Sequence, residues 1–331
     1  MEHVAKLAYL NKDHLLFFRG QSRDFRNKAG ASTIYPSIYR GERVSRAEVD
    51  LRFEIMYSAA KRLCHALEEA NIEGFGDVRR RRYIQWSILQ HYQVCPTPLL
   101  DLTHSVRVAC SFAFLSSPEV DPYAFVFGLP YVANRISINS EHDTVNIRLL
   151  SICPPDALRP YFQEGYLAGT DEITNEYTSK DELDFNNRLI AKFRLRRDND
   201  FWGGGLRSIP DSDLYPPTDR FEEICSQVKE ELETGRLGSF LQSWAELENM
   251  LFTMARRRKE KVLSLKEALA VLSEYELVPH GIAERLDKLR KLRNVAVHEP
   301  SRLKPEDLSF ALRESSELRN EVEVRMSSEA S

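Results

Sequence analysis

The stretch Ala124-Phe125-Val126-Phe127-Gly128-Leu129 decides the class of the fold. Its aromatic and β-branched side chains suit a pleated, half-buried surface, so it reads as a strand. The nearly apolar run goes on only to Ala133 and is broken by Gly128 and Pro130, which is too short for a bilayer and fits a strand followed by a turn. Asn146 to Ile152 and Leu189 to Leu195 carry the same signature. All three runs lie between residues 123 and 195 without regular helical crossovers. The expectation is an α+β domain with a mixed or antiparallel sheet, not a doubly wound parallel one.

Toward the N-terminus, Leu15 to Phe18 is a short apolar run ending at Arg19-Gly20, as a buried strand entering a turn does. Val49, Phe53, Met56, Ala60, Leu63 and Leu67 recur at helical spacing and predict a helix over 46–70. A second helix is predicted over 80–92, after which Pro96 and Pro98 restrict themselves and their preceding residues to an extended loop. Val106 to Leu115 reads as a helix rich in small residues.

Toward the C-terminus, Gly203-Gly204-Gly205 lacks the Lys-Ser/Thr of a phosphate loop and reads as a flexible connection. After Pro210, Pro216 and Pro217 a helix is predicted with the apolar face Phe221, Ile224, Val228 and Leu232, ended by Gly235 and Gly238. Strand signals then stop. Four helices fit the remainder, over 240–258, 265–275, 281–298 and 305–325. Ser264 and Glu267 form a capping box, Pro305 suits a first helical turn, and Glu306 and Asp307 favour the positive end of that helix. The result is an α+β domain over 1–234, an all-α four-helix bundle over 239–326, and a frayed tail over 327–331.

Bulk properties agree with two soluble domains. The chain has 331 residues, more than one hydrophobic core usually serves, with 42% hydrophobic and 29% charged residues. Five cysteines at 64, 95, 110, 153 and 225 form no Cys-x-x-Cys pair, and the first residues show no secretory signal, so a reducing cytoplasm is expected, with no membrane partner. Net charge is −4, which excludes a globally cationic polyanion binder. His91, Cys95, His104 and Cys110 fit no compact ligand spacing, so no metal is expected. Arg79 to Arg82, interleaved with Tyr83 and Trp86, reads as a solvated helix face.

The stretch Leu289-Arg290-Lys291-Leu292-Arg293-Asn294-Val295-Ala296-Val297-His298-Glu299-Pro300 joins a guanidinium to an imidazole. A histidine moves protons near neutrality, and an arginine matches phosphate oxygens with its planar fork. On one helix Asn294 and His298 share a face, whereas Arg293 lies about 140° from His298, so one straight helix does not aim both at one phosphate. The motif resembles that of HEPN domains, helical bundles whose ribonuclease members pair such motifs across a dimer. That resemblance implies a homodimer through the C-terminal helices and metal-free RNA cleavage by Arg293, Asn294 and His298. Arg290, Lys291 and the cations of 256–261, Arg257 among them, then supply the approach for RNA. The bland reading is a helix-bridging Arg-Asn pair and a histidine that merely favours the negative end of its helix.

Phe17-Phe18-Arg19-Gly20-Gln21, Tyr35-Pro36-Ser37-Ile38-Tyr39-Arg40, Leu89-Gln90-His91-Tyr92 with Pro96-Thr97-Pro98-Leu99-Leu100-Asp101-Leu102-Thr103, and Arg159 to Gly165 with Leu214-Tyr215-Pro216 resemble, in order, the motifs of the FRG domain. The likeness spans about residues 10–232. Its usual His-Tyr-Gly-x-Pro-Thr spacing is lengthened here by Gln93-Val94-Cys95. Arg19, Gln21, His91, Asp101, Gln163 and Glu164 are the polar candidates for a ligand site, Arg19 because a strand-end arginine beside glycine can approach an anion. The alternative is a buried network of Arg19, His91 and Asp101 that locks the loop.

Together these resemblances imply a toxin or defence-type effector: the FRG-like domain senses a nucleotide or protein ligand, and the HEPN-like dimer cuts RNA without a cofactor. An antitoxin or regulatory protein is a possible partner. Phe-Arg-Gly also resembles the Tyr-Arg-Gly of ADP-ribosyltransferases, which makes an NAD-consuming enzyme the first alternative. A non-catalytic binding or antitoxin-like module is the second.

Overall fold

The β-branched and aromatic runs assemble into one sheet in the computed structural model. It describes residues 2–41, 46–116, 120–130, 135–141, 143–170, 180–198, 201–203, 205–259, 261–262, 264–278, 281–299 and 302–329. Gly204, Pro300, Glu260 and the ends of the 125–133 run and of the 327–331 tail lie outside these residues. The chain divides into two units, Met1–Lys229 and Glu230–Ser331.

The first unit opens with α1 (Glu2–Leu10) and β1 (Leu15–Gln21), then α2 (Arg46–Glu69), α3 (Phe75–Arg80) and α4 (Arg82–His91). β2 (Leu100–Thr103), α5 (Val106–Leu115), β3 (Tyr123–Leu129), β4 (Ile136–Asn139) and β5 (Thr144–Arg148) follow. The unit continues through α6 (Arg159–Phe162), β6 (Gly165–Thr170), β7 (Leu189–Arg194), α7 (Asp211–Leu214) and the start of α8 (Arg220–Arg258). The seven strands run in the order β4-β5-β6-β2-β1-β3-β7, and every neighbouring pair is antiparallel.

Alternation along β1 sorts its side chains onto two faces. Phe17 joins Leu100, Leu102, Phe125 and Phe127 in one core, and Phe18 joins Ala109 and Val126 in another, where α5 covers the sheet. The close approach of α5 explains Gly20: a Cβ there falls 1.9 Å from the Ala109 carbonyl oxygen. The helical face of α2 is buried as its spacing predicts, with Val49, Met56, Leu63 and Leu67 all inaccessible to solvent.

Four strands and one helix depart from the sequence reading. The loop at Pro96 and Pro98 gives way at Leu100 to β2, a strand the sequence did not signal, and the segment from Asn146 to Ile152 is strand only to Arg148, with Leu149–Ser151 a 3₁₀ turn. β6 holds two glycines, poor strand formers alone, because Gly165 and Gly169 lie against Leu149, His91, Leu99 and Val145. β4 and the amphipathic α1 were equally silent in the sequence.

The second unit is helical: the rest of α8, then α9 (Leu265–Glu274), α10 (Ile282–His298) and α11 (Pro305–Glu329). Phe240, Trp244, Leu247, Leu251 and Met254 recur every three to four residues and meet Leu272, Leu286, Leu289, Leu318 and Val322 in one core. Ser264 caps α9 by accepting from the Glu267 N–H at 3.2 Å. Arg285 of α10 pairs with Glu314 and Glu321 of α11, and Arg319 of α11 reaches Glu246 of α8 at 2.7 Å. Gly235 and Gly238 do not end the helix; α8 runs through both, since each glycine withdraws only about 1 kcal/mol of propensity. α11 extends to Glu329, beyond Ser327 where fraying was expected.

Candidate functional site

β1 and β2 are paired at a single position, Phe18 with Thr103. Beyond it, Arg19 of β1 reaches β2 through its side chain, donating from Nη1 to the Asp101 carbonyl at 2.7 Å. A cavity of about 210 Å³ opens there, lined by Arg19, His91, Asp101 and Gln163 with Phe18, Phe112 and Tyr215. Burial, followed by the nearby Arg40 charge, lowers Arg19 to about 10, against the pull of Asp101; it remains a cation at neutral pH.

Asp101 is held from two sides. His91 Nδ1 lies 3.1 Å from Oδ1, and the Gln90 amide donates to Oδ2 at 2.6 Å. Burial alone raises this carboxyl, but the His91 hydrogen bond and charge, the Arg19 charge and the Gln90 amide outweigh it and hold it below the usual carboxylate range. An ionised carboxylate only accepts, so His91 carries its proton on Nδ1. Gln90 in turn accepts from the Thr97 hydroxyl at 2.5 Å, and the Thr97 N–H donates to Ser37 Oγ at 2.9 Å. The network fixes the loop between α4 and β2, as the bland reading of Arg19, His91 and Asp101 expected. It also leaves two buried nitrogens without partners, Arg19 Nε and His91 Nε2.

Gln163 is buried and donates from Nε2 to the Leu214 carbonyl at 2.8 Å, which places it in the cavity wall. Gln21, the last residue of β1, keeps an unpartnered buried Oε1 but does not line the cavity. Glu164 is exposed and lies outside it, with its backbone in the left-handed region at φ 45°. Sequence reasoning passed over Gln90, Phe112 and Tyr215. Gln90 stood in the Leu89-Gln90-His91-Tyr92 string, and Tyr215 in Leu214-Tyr215-Pro216, whereas nothing marked Phe112 apart from its helical neighbours.

Behind the wall, Arg159 lies between the rings of Tyr92 and Tyr215, 4.9 and 4.8 Å from their centroids, and pairs with Glu222. Tyr92 donates to Asp219 at 2.7 Å, and Asp219 accepts the backbone N–H groups of Arg159 and Phe221. This cluster ties α6 and the start of α8 to the end of α4.

Residues 14–121 match the FRG domain family. The N-terminal unit therefore carries an FRG domain, which takes in β1 through α5 and contributes Phe18, Arg19, His91, Asp101 and Phe112 to the cavity. Gln163 and Tyr215 come from beyond the matched residues. No match was found among curated proteins or among solved structures. The lengthened spacing after the FRG His-Tyr pair has a local consequence: Gln93 stands directly after Tyr92, where the FRG pattern has glycine, and adopts the left-handed φ of 55° that suits glycine.

The C-terminal candidates sit differently. Asn294 and His298 are exposed on α10, Arg293 is partly buried, and its Nη1 donates to Asn294 Oδ1 at 3.3 Å. Arg290 and Lys291 both pair with Asp287, at 2.8 Å each, so their charge is partly offset; Arg257 is exposed near the end of α8. Among the described residues no cluster of three His, Cys, Asp or Glu side chains forms a metal site, and no helix is long and apolar enough to cross a membrane.

Proposed function

We propose that the FRG domain binds a small anionic ligand in the cavity between β1 and β2. The observation that carries this reading is that two residues lining the cavity, Arg19 and His91, each keep a buried nitrogen without a partner, Nε and Nε2. An unmet buried donor costs about 1–3 kcal/mol, and a ligand oxygen at Arg19 removes that penalty. Arg19 and Arg40 against Asp101 leave one positive charge to be matched. The test is thermal unfolding of the full chain with phosphate-bearing ligands, since binding at a hundred times Kd adds about 2.7 kcal/mol. Wild type should be stabilised and Arg19→Met should not. A stabilisation that survives in a folded Arg19→Met protein sinks the reading.

A second reading concerns the C-terminal unit, which we propose is a HEPN-like ribonuclease that makes the chain a toxin or defence-type effector. It is favoured by Asn294 and His298 lying open to solvent on one face of α10, beside Arg293. In that reaction the 2′-hydroxyl of RNA attacks the adjacent phosphorus, His298 transfers protons, and Arg293 and Asn294 hold the phosphate. The 5′-oxygen leaves and a cyclic phosphate remains, without metal. A second copy of the chain supplies the facing motif. Labelled RNA incubated with the protein in EDTA should be cut by wild type and spared by His298→Ala.

A further inference from the structure

Resting on the anion-site reading, we propose that the occupant of the FRG cavity is a nucleoside monophosphate. Three demands, made by different walls, converge on that class.

The first is an anion. Arg19 is a cation whose Nε–H has no partner and lines the cavity. Its fork matches phosphate oxygens with more than one hydrogen bond. Asp101 does not cancel the site, because its two oxygens are already taken by His91 and Gln90 and a second guanidinium, Arg40, acts on it.

The second is a hydroxyl. His91 is 6% exposed, its Nδ1 faces an ionised carboxylate, and its Nε2 has no partner. A hydroxyl both donates and accepts, so a sugar hydroxyl partners Nε2 in either form of the ring. Gly165 leaves the space, since a Cβ there stands 3.2 Å from His91 Cε1.

The third is a flat apolar group. Phe112 and Tyr215 meet edge to face with centroids 6.0 Å apart, and both line the cavity. Tyr215 is fixed from behind by Arg159. Rings so held form a platform for a base, worth about 1–3 kcal/mol where bases stack on aromatic side chains. Size sets the upper limit. A cavity of 210 Å³ falls below the roughly 300–1,000 Å³ that encloses drug-sized ligands. Exposed Gln93 and Ser116 at its edge let part of one nucleotide protrude, but a dinucleotide is not enclosed.

The experiment titrates the full chain calorimetrically with each of the four ribonucleoside 5′-monophosphates, ribose 5-phosphate, the matching nucleosides and NAD. At least one monophosphate should bind about tenfold more tightly than ribose 5-phosphate and about a hundredfold more tightly than its nucleoside, and NAD should bind more weakly than that monophosphate. Phe112→Ala should remove the advantage over ribose 5-phosphate. Equal binding of ribose 5-phosphate and all four monophosphates, or tighter binding of NAD, overturns the mononucleotide and leaves the anion site standing. Nucleosides binding as tightly as their monophosphates, or no binding by any probe, overturns both.

Discussion

Arg19, His91, Asp101 and Gln163 come from four separate segments of the first unit and close around one cavity, whereas Arg293, Asn294 and His298 come from little more than one turn of α10 and stay at the surface of the second. The first group is held by strand, helix end and hydrogen-bonded loop before any ligand arrives, so its unmet nitrogens are preorganised. The second group has no wall of its own. In the ribonuclease reading proposed above, a second copy of the chain would complete it. A site of the first kind is vulnerable to the packing that brings its segments together; a site of the second kind is vulnerable only at the side chains themselves.

The strongest way to break this comparison is Gly20→Ala. The added methyl meets the Ala109 carbonyl oxygen at 1.9 Å and the Ala113 nitrogen at 2.7 Å, both backbone atoms of α5 that no rotamer change relieves. A loss of about 3 kcal/mol or more in urea unfolding is expected, with ligand binding lost as well. A loss within about 1 kcal/mol shows that α5 does not bear on β1 as described.

Next in size is Arg285→Ala in the second unit. It strands Glu314, 9% exposed, and removes the link to Glu321, so a loss of about 1–3 kcal/mol in urea unfolding is expected, with no change in binding at the FRG cavity. The pH dependence sharpens the other side. Asp101 has a folded pKa below its unfolded value, so its contribution is present above the ordinary carboxylate range and is lost as pH falls through the depressed value. Wild type should lose stability progressively below about pH 4, and Asp101→Asn should flatten that acid limb. An unchanged acid limb in the variant removes Asp101 from the network. Gly238→Ala is the counterpart of Gly20→Ala: nothing lies within 4 Å of the new methyl on α8, so a gain of about 0.5–1 kcal/mol is expected in the same unfolding measurement.

The same contrast explains what could be read in advance. Periodicity located α2 and α11, whose apolar residues repeat on one face; a run of small residues marked α5, a capping box marked α9, and β1, β3 and β7 stood out because their apolar runs need no neighbour to be recognised. β6 was hidden because its glycines are chosen by the side chains of Leu149, His91, Leu99 and Val145, which the chain supplies far from them in sequence. β2 was hidden behind two prolines, and the continuity of α8 behind two glycines whose local preference the rest of the helix overrides. Arg19, His91 and Asp101 were recognisable as residue types in FRG-like strings. Their meeting was foreseen only as a loop-locking network; the cavity beside it was not, since β1 and β2 pair at only one position. Glu164 shows the converse: adjacent to Gln163 in sequence, it turns outward through a left-handed backbone.

His298→Ala carries the smallest expected effect on the fold. The imidazole is exposed, and the helix ends at this residue with the Glu299 N–H bonded to the Val295 carbonyl at 2.8 Å, a contact the side chain does not make. The change in urea unfolding should therefore lie within about 0.5 kcal/mol. RNA cleavage in EDTA, measured on the same preparation, should disappear, and ligand binding at the FRG cavity should be untouched. If cleavage persists, the exposed face of α10 is ordinary solvated surface, and the comparison reduces to one built site and none. If stability falls by more than about 1 kcal/mol, His298 has a packing role that its exposure denies, and the distinction between a site made by burial and one made by exposure fails at its second member.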